Sequence, residues 1–507
     1  MRVRPWAAAL SGIVSAAVAL GVGELVAALT GAADAPLVAV GDRVIKATPE
    51  PVKQWAISVF GTGDKLALQI GTVVILAVVA AGVGIAATRR LVYAVAAVVV
   101  FTGLGVAAAV TRPGAGALSA VPSLVAGAAA LGAGWFLLRH APRVEGDDEA
   151  VDMRVYGRRR FLVTSVAAVG GAGVALAVGR NVGLSTAAEE ARATVRLPVP
   201  ASPAPPRPAG ADLKLPGLSA FETPNADFYR IDTALVTPNV LPSGYRLRIH
   251  GRCANPIELT FDELLARPMI ERDITLSCVS NEVGGGLVGT ARWLGVPLAD
   301  LLAEVRPDQG ADQLVGRSAD GFTAGAPTDL CRDGRDAMLA VGMNGEALPL
   351  IHGFPVRMLV PGLYGYVSAT KWLTELELSS FDDFDAYWIP RGWSTPTPVK
   401  TASRIDTPRK SAKAGTVAVA GVAWAQHRGI TAVEVRVDDG PWAAARLSDV
   451  VSGDTWRQWV YDWQASPGEH RLTVRATDGA GVVQTEQRTP VAPDGASGWH
   501  TVKVTVT

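Results

Sequence analysis

Five apolar stretches near the N-terminus limit what this chain can fold into more than any other feature of the sequence. Each has about 20 residues, enough for a helix to cross a hydrocarbon layer of about 30 Å, and charged side chains are nearly absent inside them. Hydrophobic residues make up 49% of the chain and charged residues only 19%. The sequence therefore predicts a transmembrane region of five helices over residues 1–182. The stretches cover residues 7–29, 66–87, 91–110, 118–138 and 161–180.

Arginine residues predict which way these helices face. Arg2 and Arg4 precede the first stretch, Arg89 and Arg90 separate the second from the third, and a cluster at 139–160 separates the fourth from the fifth. Counting crossings places all three sets on one side, which the positive-inside rule makes cytoplasmic. Everything beyond about residue 181 is therefore expected on the extracytoplasmic side of the cell membrane.

The fifth stretch carries a second signal. Arg158, Arg159 and Arg160 stand directly before Phe161 and Leu162, an order that resembles a twin-arginine export signal. An ordinary arginine cluster at the cytoplasmic end of a helix explains the same residues. The sequence leaves both interpretations open.

Composition changes twice after the membrane region. Residues 183–217 form a Pro/Ala-rich linker, and such a segment favours extended structure that holds domains apart. Residues 218–403 mix strand-like and helix-like patterns, which predicts an α+β domain. Residues 404–507 contain β-rich runs separated by turn residues, which predicts an all-β sandwich of the immunoglobulin type.

Local patterns place some elements of the α+β domain. Thr260, with Glu263 three residues later, predicts a capping box at the start of a helix over 261–266. Residues 245–250 alternate between polar and apolar side chains, as in a half-buried strand. Residues 273–277 are predicted to form another strand, which ends at Cys278.

Charge, cysteines and histidines exclude several classes of function. The net charge is zero, so no general electrostatic field attracts nucleic acid, and no nucleic-acid partner is expected. The cysteines, Cys253, Cys278 and Cys331, lack the CxxC spacing of zinc or iron–sulfur sites. All six histidines lie outside the apolar stretches, so a haem held between membrane helices is not expected. Electrons are therefore expected to travel through a separate carrier.

Cys278 is the residue with the clearest chemical potential. It follows the strand predicted at 273–277 and precedes a loop containing Gly284, Gly285 and Gly286. Glycines let a ligand approach the backbone closely, and thiolates suit the softer transition metals. Taken alone, a buried cysteine is more often a small apolar filler of the core.

Several motifs around Cys278 together resemble the sulfite oxidase family of molybdopterin enzymes. The likeness covers about residues 215–507, including segments of the β-rich tail around Trp424 and Trp459, and does not include the five apolar stretches. Its segments, in chain order, are Thr223-Pro224-Asn225 with Phe228-Tyr229-Arg230, Thr275 to Asn281, Ala291 to Leu298, His352 to Arg357 with Pro361-Gly362, and Ala369 to Leu373.

The resemblance implies a cofactor and a role for each matched residue. The cofactor is molybdenum carried by a pyranopterin (molybdopterin), with the Cys278 thiolate as the protein ligand to the metal. Arg230 would lie near the metal and attract the substrate, and Tyr387 is the stand-in for the family's active-site tyrosine. The residues expected to hold the cofactor are Asn225, Ser280, Asn281, His352, Arg357 and Lys371.

This chain departs from the family pattern at the expected substrate pocket. Glu282 and Val283 stand where animal and plant sulfite oxidases carry basic residues. Asp232 stands where those enzymes carry a histidine. A more acidic pocket is expected to weaken sulfite binding, although sulfite remains the default substrate.

The resemblance favours a membrane-anchored oxidoreductase that performs two-electron oxygen-atom transfer on a small oxyanion or on an S- or N-oxide. The direction of the reaction stays open, and a nitrate-reductase-like activity is an alternative on the same fold. A non-catalytic receptor or adhesion protein with an immunoglobulin-like tip is an alternative of another class. Expected partners are a small-molecule substrate, the membrane, a cytochrome or quinone-linked electron carrier, and a second copy bound through the C-terminal domain. Cys253 and Cys331 fit either a disulfide or two separate thiols.

Overall fold

A computed structural model gives the fold of the chain as two compact units. It describes residues 2–31, 34–49, 52, 59, 64–112, 115–144, 151–182, 186–395 and 398–507. The first unit comprises Met1–Glu190 with Thr233–Asn239, and the second comprises Ala191–Asp232 with Val240–Thr507.

The first unit is built from helices and one short pair of strands. Five of its helices contain segments long and apolar enough to cross a membrane, and they coincide with the five predicted stretches. The two-residue strands β1 (Arg2–Val3) and β2 (Arg143–Val144) pair antiparallel. The helices are α1 (Pro5–Thr30), α2 (Pro36–Ala47), α3 (Asp64–Ala87), α4 (Leu91–Val110), α5 (Val121–His140) and α6 (Val151–Val182).

Helix α2 lies in the segment that the sequence predicts as a loop between the first two stretches. Pro36 occupies its first turn, where the missing N–H of proline costs nothing and its fixed φ suits a helix. Leu37, Val38 and Ala39 of α2 are buried. At 12 residues the helix is too short to resemble the other five, which is why the hydropathy pattern missed it.

Helix α1 is the centre of this unit and packs against α3, α5 and α6. Small residues allow the close approach: a Cβ atom at Gly12 would collide with the Ala80 carbonyl, and one at Gly84 with the Ala8 carbonyl. Such small-residue contacts are typical of helices that associate in a membrane, where packing replaces the hydrophobic effect.

The second unit begins at Ala191, within helix α7 (Thr186–Thr194), and contains an α+β domain with two five-stranded sheets. One sheet has the order β10-β9-β6-β5 with β11 pairing with β9, and the other has the order β4-β3-β12-β7-β8. Within these two sheets, β12 and β3 pair in parallel and the other strand pairs are antiparallel. The strands are β3 (Arg246–Gly251), β4 (Ile257–Thr260), β5 (Ile270–Ser277), β6 (Val288–Pro297), β7 (Gln313–Ser318), β8 (Thr323–Pro327), β9 (Met338–Met343), β10 (Glu346–Ala347), β11 (Arg357–Leu359) and β12 (Leu373–Ser379).

Three helices complete the α+β domain: α8 (Phe261–Leu265), α9 (Leu298–Val305) and α10 (Gly365–Ser368). The capping box predicted at α8 is present. The Thr260 hydroxyl accepts a hydrogen bond from the Glu263 N–H at 3.1 Å, and the Glu263 carboxylate accepts one from the Thr260 N–H at 2.8 Å. The two reciprocal bonds satisfy N–H groups that the first turn of a helix leaves unpaired.

The C-terminal part of the second unit consists of two β-sheets that share a core. Their orders are β13-β15-β19-β18 and β14-β21-β20-β16-β17. Apolar side chains from both sheets, such as Trp459 and Val435, form one buried cluster, so the part is a sandwich. The strands are β13 (Ala402–Thr407), β14 (Ser411–Ala412), β15 (Gly415–Trp424), β16 (Ile430–Val437), β17 (Trp442–Ala444), β18 (Arg446–Leu447), β19 (Arg457–Ala465), β20 (Gly468–Asp478) and β21 (His500–Val506).

The sandwich covers the edge of the sheet that contains β5. Strand β5 is the last in its sheet, so the backbone groups on its outer side need other partners. Thr275 donates its N–H to the Asp454 carbonyl at 2.9 Å and accepts a bond from the Gln426 amide at 3.0 Å. Both partners belong to the sandwich part of the chain, which therefore fixes the strand that leads to Cys278.

The predicted linker is not a free spacer, and this corrects the sequence-based expectation. Ser202 forms a parallel bridge with Ile270 at the start of β5. Arg207 donates to both carboxylate oxygens of Asp273, at 3.0 and 2.5 Å. Proline-rich composition predicted extended structure, but the extended chain lies against the α+β domain; residues 183–185 of the predicted linker lie outside the described ones.

A buried ion pair fixes the sandwich to the loop that follows Cys278. Arg404 is 5% exposed and its Nε lies 2.6 Å from Asp406 Oδ1. Its two terminal nitrogens donate to the Gly285 carbonyl at 2.8 Å and to the Ser219 hydroxyl at 2.9 Å. All three donor nitrogens are thus satisfied without water.

We expect Arg404→Met to destabilise the second unit by about 3–5 kcal/mol, because the Asp406 carboxylate would stay buried with its main partner gone. Urea unfolding followed by tryptophan fluorescence measures this change. Arg332→Met, which removes an exposed pair with Asp329, is the control and should change stability by less than about 1 kcal/mol. Equal effects of the two substitutions on stability would contradict the conclusion that Arg404 holds the sandwich against the loop that follows Cys278.

Candidate active site

Cys278 lies at the end of β5, in a loop that returns the chain to β6. The two strands pair antiparallel up to Ser277 and Val288, and the Cys278 N–H donates to the Leu287 carbonyl at 2.9 Å. The side chain is buried, and burial raises the pKa of the thiol. The Ser280 N–H donates to the sulfur at 3.4 Å, and together with the charge of Lys371 it opposes that rise. Thiolate formation here therefore depends on neighbouring positive charge or on a bound metal.

The loop from Cys278 to Leu287 is held from inside and outside. Within it, the Asn281 amide oxygen accepts the Leu287 N–H at 2.8 Å. From outside, the His500 ring lies against Gly284. A Cβ atom at this position would overlap the ring, and the φ of +79° is one that glycine adopts more readily than other residues. Asn281 was predicted to bind the cofactor; its amide oxygen is engaged in closing the loop.

Arg357 is a buried cation with an unused donor. Its side chain is 6% exposed, one terminal nitrogen donates to the His352 carbonyl at 3.3 Å, and the guanidinium lies 5.3 Å from the centre of the Trp293 ring. Burial lowers its pKa to about 10, so the group stays charged at neutral pH. Among the described residues its Nε finds no hydrogen-bond partner. A buried charge in this condition calls for an anion that the chain does not itself supply.

Lys371 and Arg230 meet at one carboxylate. Lys371 Nζ and Arg230 Nε each lie 2.8 Å from Asp232 Oδ2. The stem of Lys371 passes close to Gly353, where φ is +114° and a Cβ atom would press on it. Burial lowers the pKa of Lys371 to about 8, against the opposing effect of Asp232.

His352 lies in the same place but is not a cation. Burial, and then the positive charges of Arg357, Lys371 and Arg230, lower its pKa to about 4, against a hydrogen bond to the Asn225 carbonyl. That bond, from Nε2, is 2.9 Å long. A neutral imidazole does not attract phosphate by charge, so His352 orients its neighbours rather than adding to the positive field.

Asn225, predicted to bind the cofactor, uses its side chain within the protein. Its amide nitrogen donates to Glu346 at 2.5 Å, and its amide oxygen accepts from Asn344 at 2.9 Å. Sequence reasoning matched Asn225 to a family motif but had no signal for these two partners.

Two tyrosines that the sequence did not single out lie near Cys278. Tyr229 and Tyr364 are electrostatically coupled to the Cys278 thiol, and burial raises the pKa of both. Tyr387 contacts Phe322, Trp388 and Arg391. Tyr229 stands beside Arg230 in one of the segments that resemble the family, so its position was visible in the sequence, but its half-buried place near Cys278 was not.

A metal at Cys278 would have to bring ligands of its own. Among the described residues no group of three or more histidine, cysteine, aspartate or glutamate side chains lies close enough together to hold an ion. Cys253 and Cys331 are free thiols, so the disulfide that the sequence left open is not formed. A single cysteine suits a metal that arrives inside a larger cofactor.

We expect the second unit to lose stability as pH falls from about 6.5 towards 4. Burial, followed by the charges of Arg404 and Arg409, lowers the pKa of His500 from 6.5 to about 4, so in this window the unfolded chain binds a proton that the folded chain does not. His500→Gln should flatten the slope of unfolding free energy against pH by up to about 1.4 kcal/mol per pH unit. Urea titrations at several pH values measure it.

His470→Gln is the control for this prediction. Its hydrogen bond with Asp438 raises the pKa of His470, so that group stabilises the fold at low pH and loses this effect as pH rises. The control should not flatten the acid slope, and an unchanged slope in His500→Gln would show that His500 is protonated in the folded state.

Residues 234–388 match the family model described as oxidoreductase molybdopterin binding domain. The mitochondrial sulfite oxidase of Homo sapiens is 29% identical over 345 residues, covering 56% of this chain and 62% of that protein. The sulfite oxidase of Gallus gallus is 30% identical over 326 residues, covering 54% of this chain and 70% of that protein.

Among solved structures, the sulfane dehydrogenase SoxCD from Paracoccus pantotrophus is similar with a TM-score of 0.49 and 25% identity. The likeness covers 56% of this chain and 80% of that chain. The present chain spans 62% of the length of the human protein.

Proposed function

We propose that this chain, which belongs to the sulfite oxidase family of molybdopterin-dependent oxidoreductases, is an enzyme. It binds molybdenum in a pyranopterin and transfers one oxygen atom, with two electrons, between a small substrate and water. Oxidation takes the oxygen from water and releases two protons and two electrons, and reduction is the reverse. A separate carrier supplies or removes the electrons.

The observation that carries this proposal is the unpartnered Nε of Arg357. The guanidinium is buried, charged at neutral pH and free of any ion pair among the described residues. The phosphate of a pyranopterin is the kind of anion that such a fork of donors binds. The residues present thus fit the cofactor that the family implies.

The remaining residues divide between the metal and the substrate. Cys278 is the proposed metal ligand, because its sulfur is held at a strand end between Ser280 and the charge of Lys371. Molybdenum, when bound, supplies the two-electron chemistry. Arg230, whose side chain is 38% exposed, faces the solvent side and orients the substrate. The candidate substrates are sulfite for oxidation and an S-oxide or N-oxide for the reverse direction.

The N-terminal helices are proposed to anchor the enzyme in a membrane. Their length and composition suit spanning segments, and the arginines between them suit a cytoplasmic face. The catalytic unit would then lie outside the cytoplasm, where a cytochrome or a quinone-linked protein could exchange electrons with it. The C-terminal sandwich is proposed to be immunoglobulin-like in topology and to join two copies of the chain.

Metal and pterin content test the proposed cofactor site. Protein made in a host that synthesises molybdopterin should contain about one molybdenum per chain, and Cys278→Ser should lose most of it. Arg357→Met should lower the pterin content, measured by fluorescence of the oxidised pterin, because the phosphate loses its buried cation. Cys253→Ser, which changes a half-buried free cysteine just after β3, is the control and should keep both.

The same measurement separates the enzyme from the alternative of a non-catalytic receptor. Molybdenum and pterin absent from the full-length protein, although the host makes the cofactor, would reject the enzyme. Loaded protein can then be tested with sulfite, with S-oxides and with nitrate to find the substrate.

Protease digestion tests the proposed sidedness. In sealed right-side-out vesicles, added protease should reach a tag fused after Thr507, because the second unit would face outward. In inverted vesicles the tag should be protected. The opposite pattern would contradict the orientation predicted from the arginines.

A further inference from the structure

The positive charges near Cys278 do not all have the same surroundings. Arg357 is buried and forms no ion pair among the described residues, which leaves it for an anion of the cofactor. Arg230 and Lys371 both contact Asp232 at 2.8 Å. The structure thus separates one unpaired cation from two paired ones.

Asp232 cannot easily turn away from these two cations. Its side chain is 4% exposed, and one oxygen accepts from both Lys371 and Arg230. If this buried carboxylate turned away from both cations, it would be an unpaired buried charge, which strongly destabilises a protein. Its negative charge is therefore a fixed part of the pocket.

The charge at the substrate side of the site follows from these contacts. Arg230, Lys371 and Asp232 together carry a single positive charge, whereas the same two cations beside a neutral residue at 232 would carry two. A dianion would meet two cations but also a buried carboxylate within a few ångströms, and like charges at that distance repel strongly where water is scarce. A neutral compound meets the same hydrogen-bond donors without this repulsion.

We propose that Asp232 is a specificity-determining residue, which adapts the site to small oxo compounds that are neutral or carry one negative charge and disfavours dianions such as sulfite. The inference rests on the proposed function, since it names the substrate class of that same site. Reduction of such a compound uses two protons and two electrons from a separate reduced carrier and releases one water. Oxidation by one oxygen atom is the reverse.

Binding of sulfate and of dimethyl sulfoxide tests the inference without a redox assay. Sulfate is a dianion and dimethyl sulfoxide is neutral, and both are small oxo compounds. Calorimetric titration of the full-length protein in detergent, at constant ionic strength, compares wild type with Asp232→Asn. The titrations are made at about pH 6, because the pKa of Lys371 is about 8 and would fall on loss of Asp232.

We expect Asp232→Asn to bind sulfate at least about tenfold more tightly than wild type and to bind dimethyl sulfoxide with less than about a twofold change. Asp336→Asn is the matched control. It removes a carboxylate that pairs with Arg272 elsewhere in the unit, and asparagine tolerates the left-handed φ of +54° at that position. The control should leave the affinity for both ligands unchanged.

Two results would overturn the inference. One is equal tightening for sulfate in Asp232→Asn and Asp336→Asn, which would indicate a general effect of charge. The other is sulfate binding in wild type as tight as in Asp232→Asn. If Asp232→Asn does not fold, Arg230→Gln serves instead and should weaken sulfate at least about tenfold while changing dimethyl sulfoxide less than about twofold; equal weakening of both would also overturn it.

The cofactor measurement keeps the two proposals apart. Absence of molybdenum and pterin rejects the proposed enzyme, whereas the difference in sulfate affinity between wild type and Asp232→Asn reports the charge of the pocket, because any sulfate bound at Arg357 in unloaded protein is common to both. In loaded protein, kinetics with electrochemically reduced methyl viologen or with ferricyanide should show the same selectivity. Asp232→Asn should lower the KM for sulfite much more than it changes kcat, and a change confined to kcat would contradict a role in charge selection.

Discussion

The covered edge of β5 is the constraint on which the site depends. An edge strand exposes a row of unpaired backbone groups, and in this chain both halves of that row are occupied. Ser202 pairs with its start, and Asp454 and Gln426 bond to Thr275 near its end. Because Cys278 follows three residues after Thr275, the position of its sulfur depends on a segment from before the domain and on a sandwich from after it.

The burial of charged side chains is the second constraint, and it distinguishes two paired cations of the site from one unpaired cation. Arg357 and Lys371 are buried, so each of these charges needs a partner within the protein or from a ligand. Asp232 supplies that partner for Lys371 and Arg230. Arg357 has none among the described residues, and it is there that we propose an anionic group of the cofactor binds. His352 is neutral because burial, and then the same positive neighbours, lower its pKa.

Predictions from sequence succeeded where the signal is local. The capping box at Thr260 needs only residues three positions apart, and the structure has it. The five helices follow from runs of apolar residues, which need no knowledge of the fold. Predictions were weaker where a side chain has a choice of partners: the amide of Asn225 bonds to Glu346, which is 121 residues away in the chain, and no local pattern indicates that choice.

The sequence by itself determined the apolar helices, the α+β and β-rich parts, and Cys278 within a motif of the sulfite oxidase family, because length, hydropathy and short motifs are properties of neighbouring residues. Only the tertiary structure decided that the proline-rich segment lies on the α+β domain, that Arg404 reaches the Cys278 loop, and that Asp232 meets Lys371 across 139 residues of chain. Those contacts join segments that are distant in sequence. Burial then fixes their charges, and burial exists only once the chain has folded.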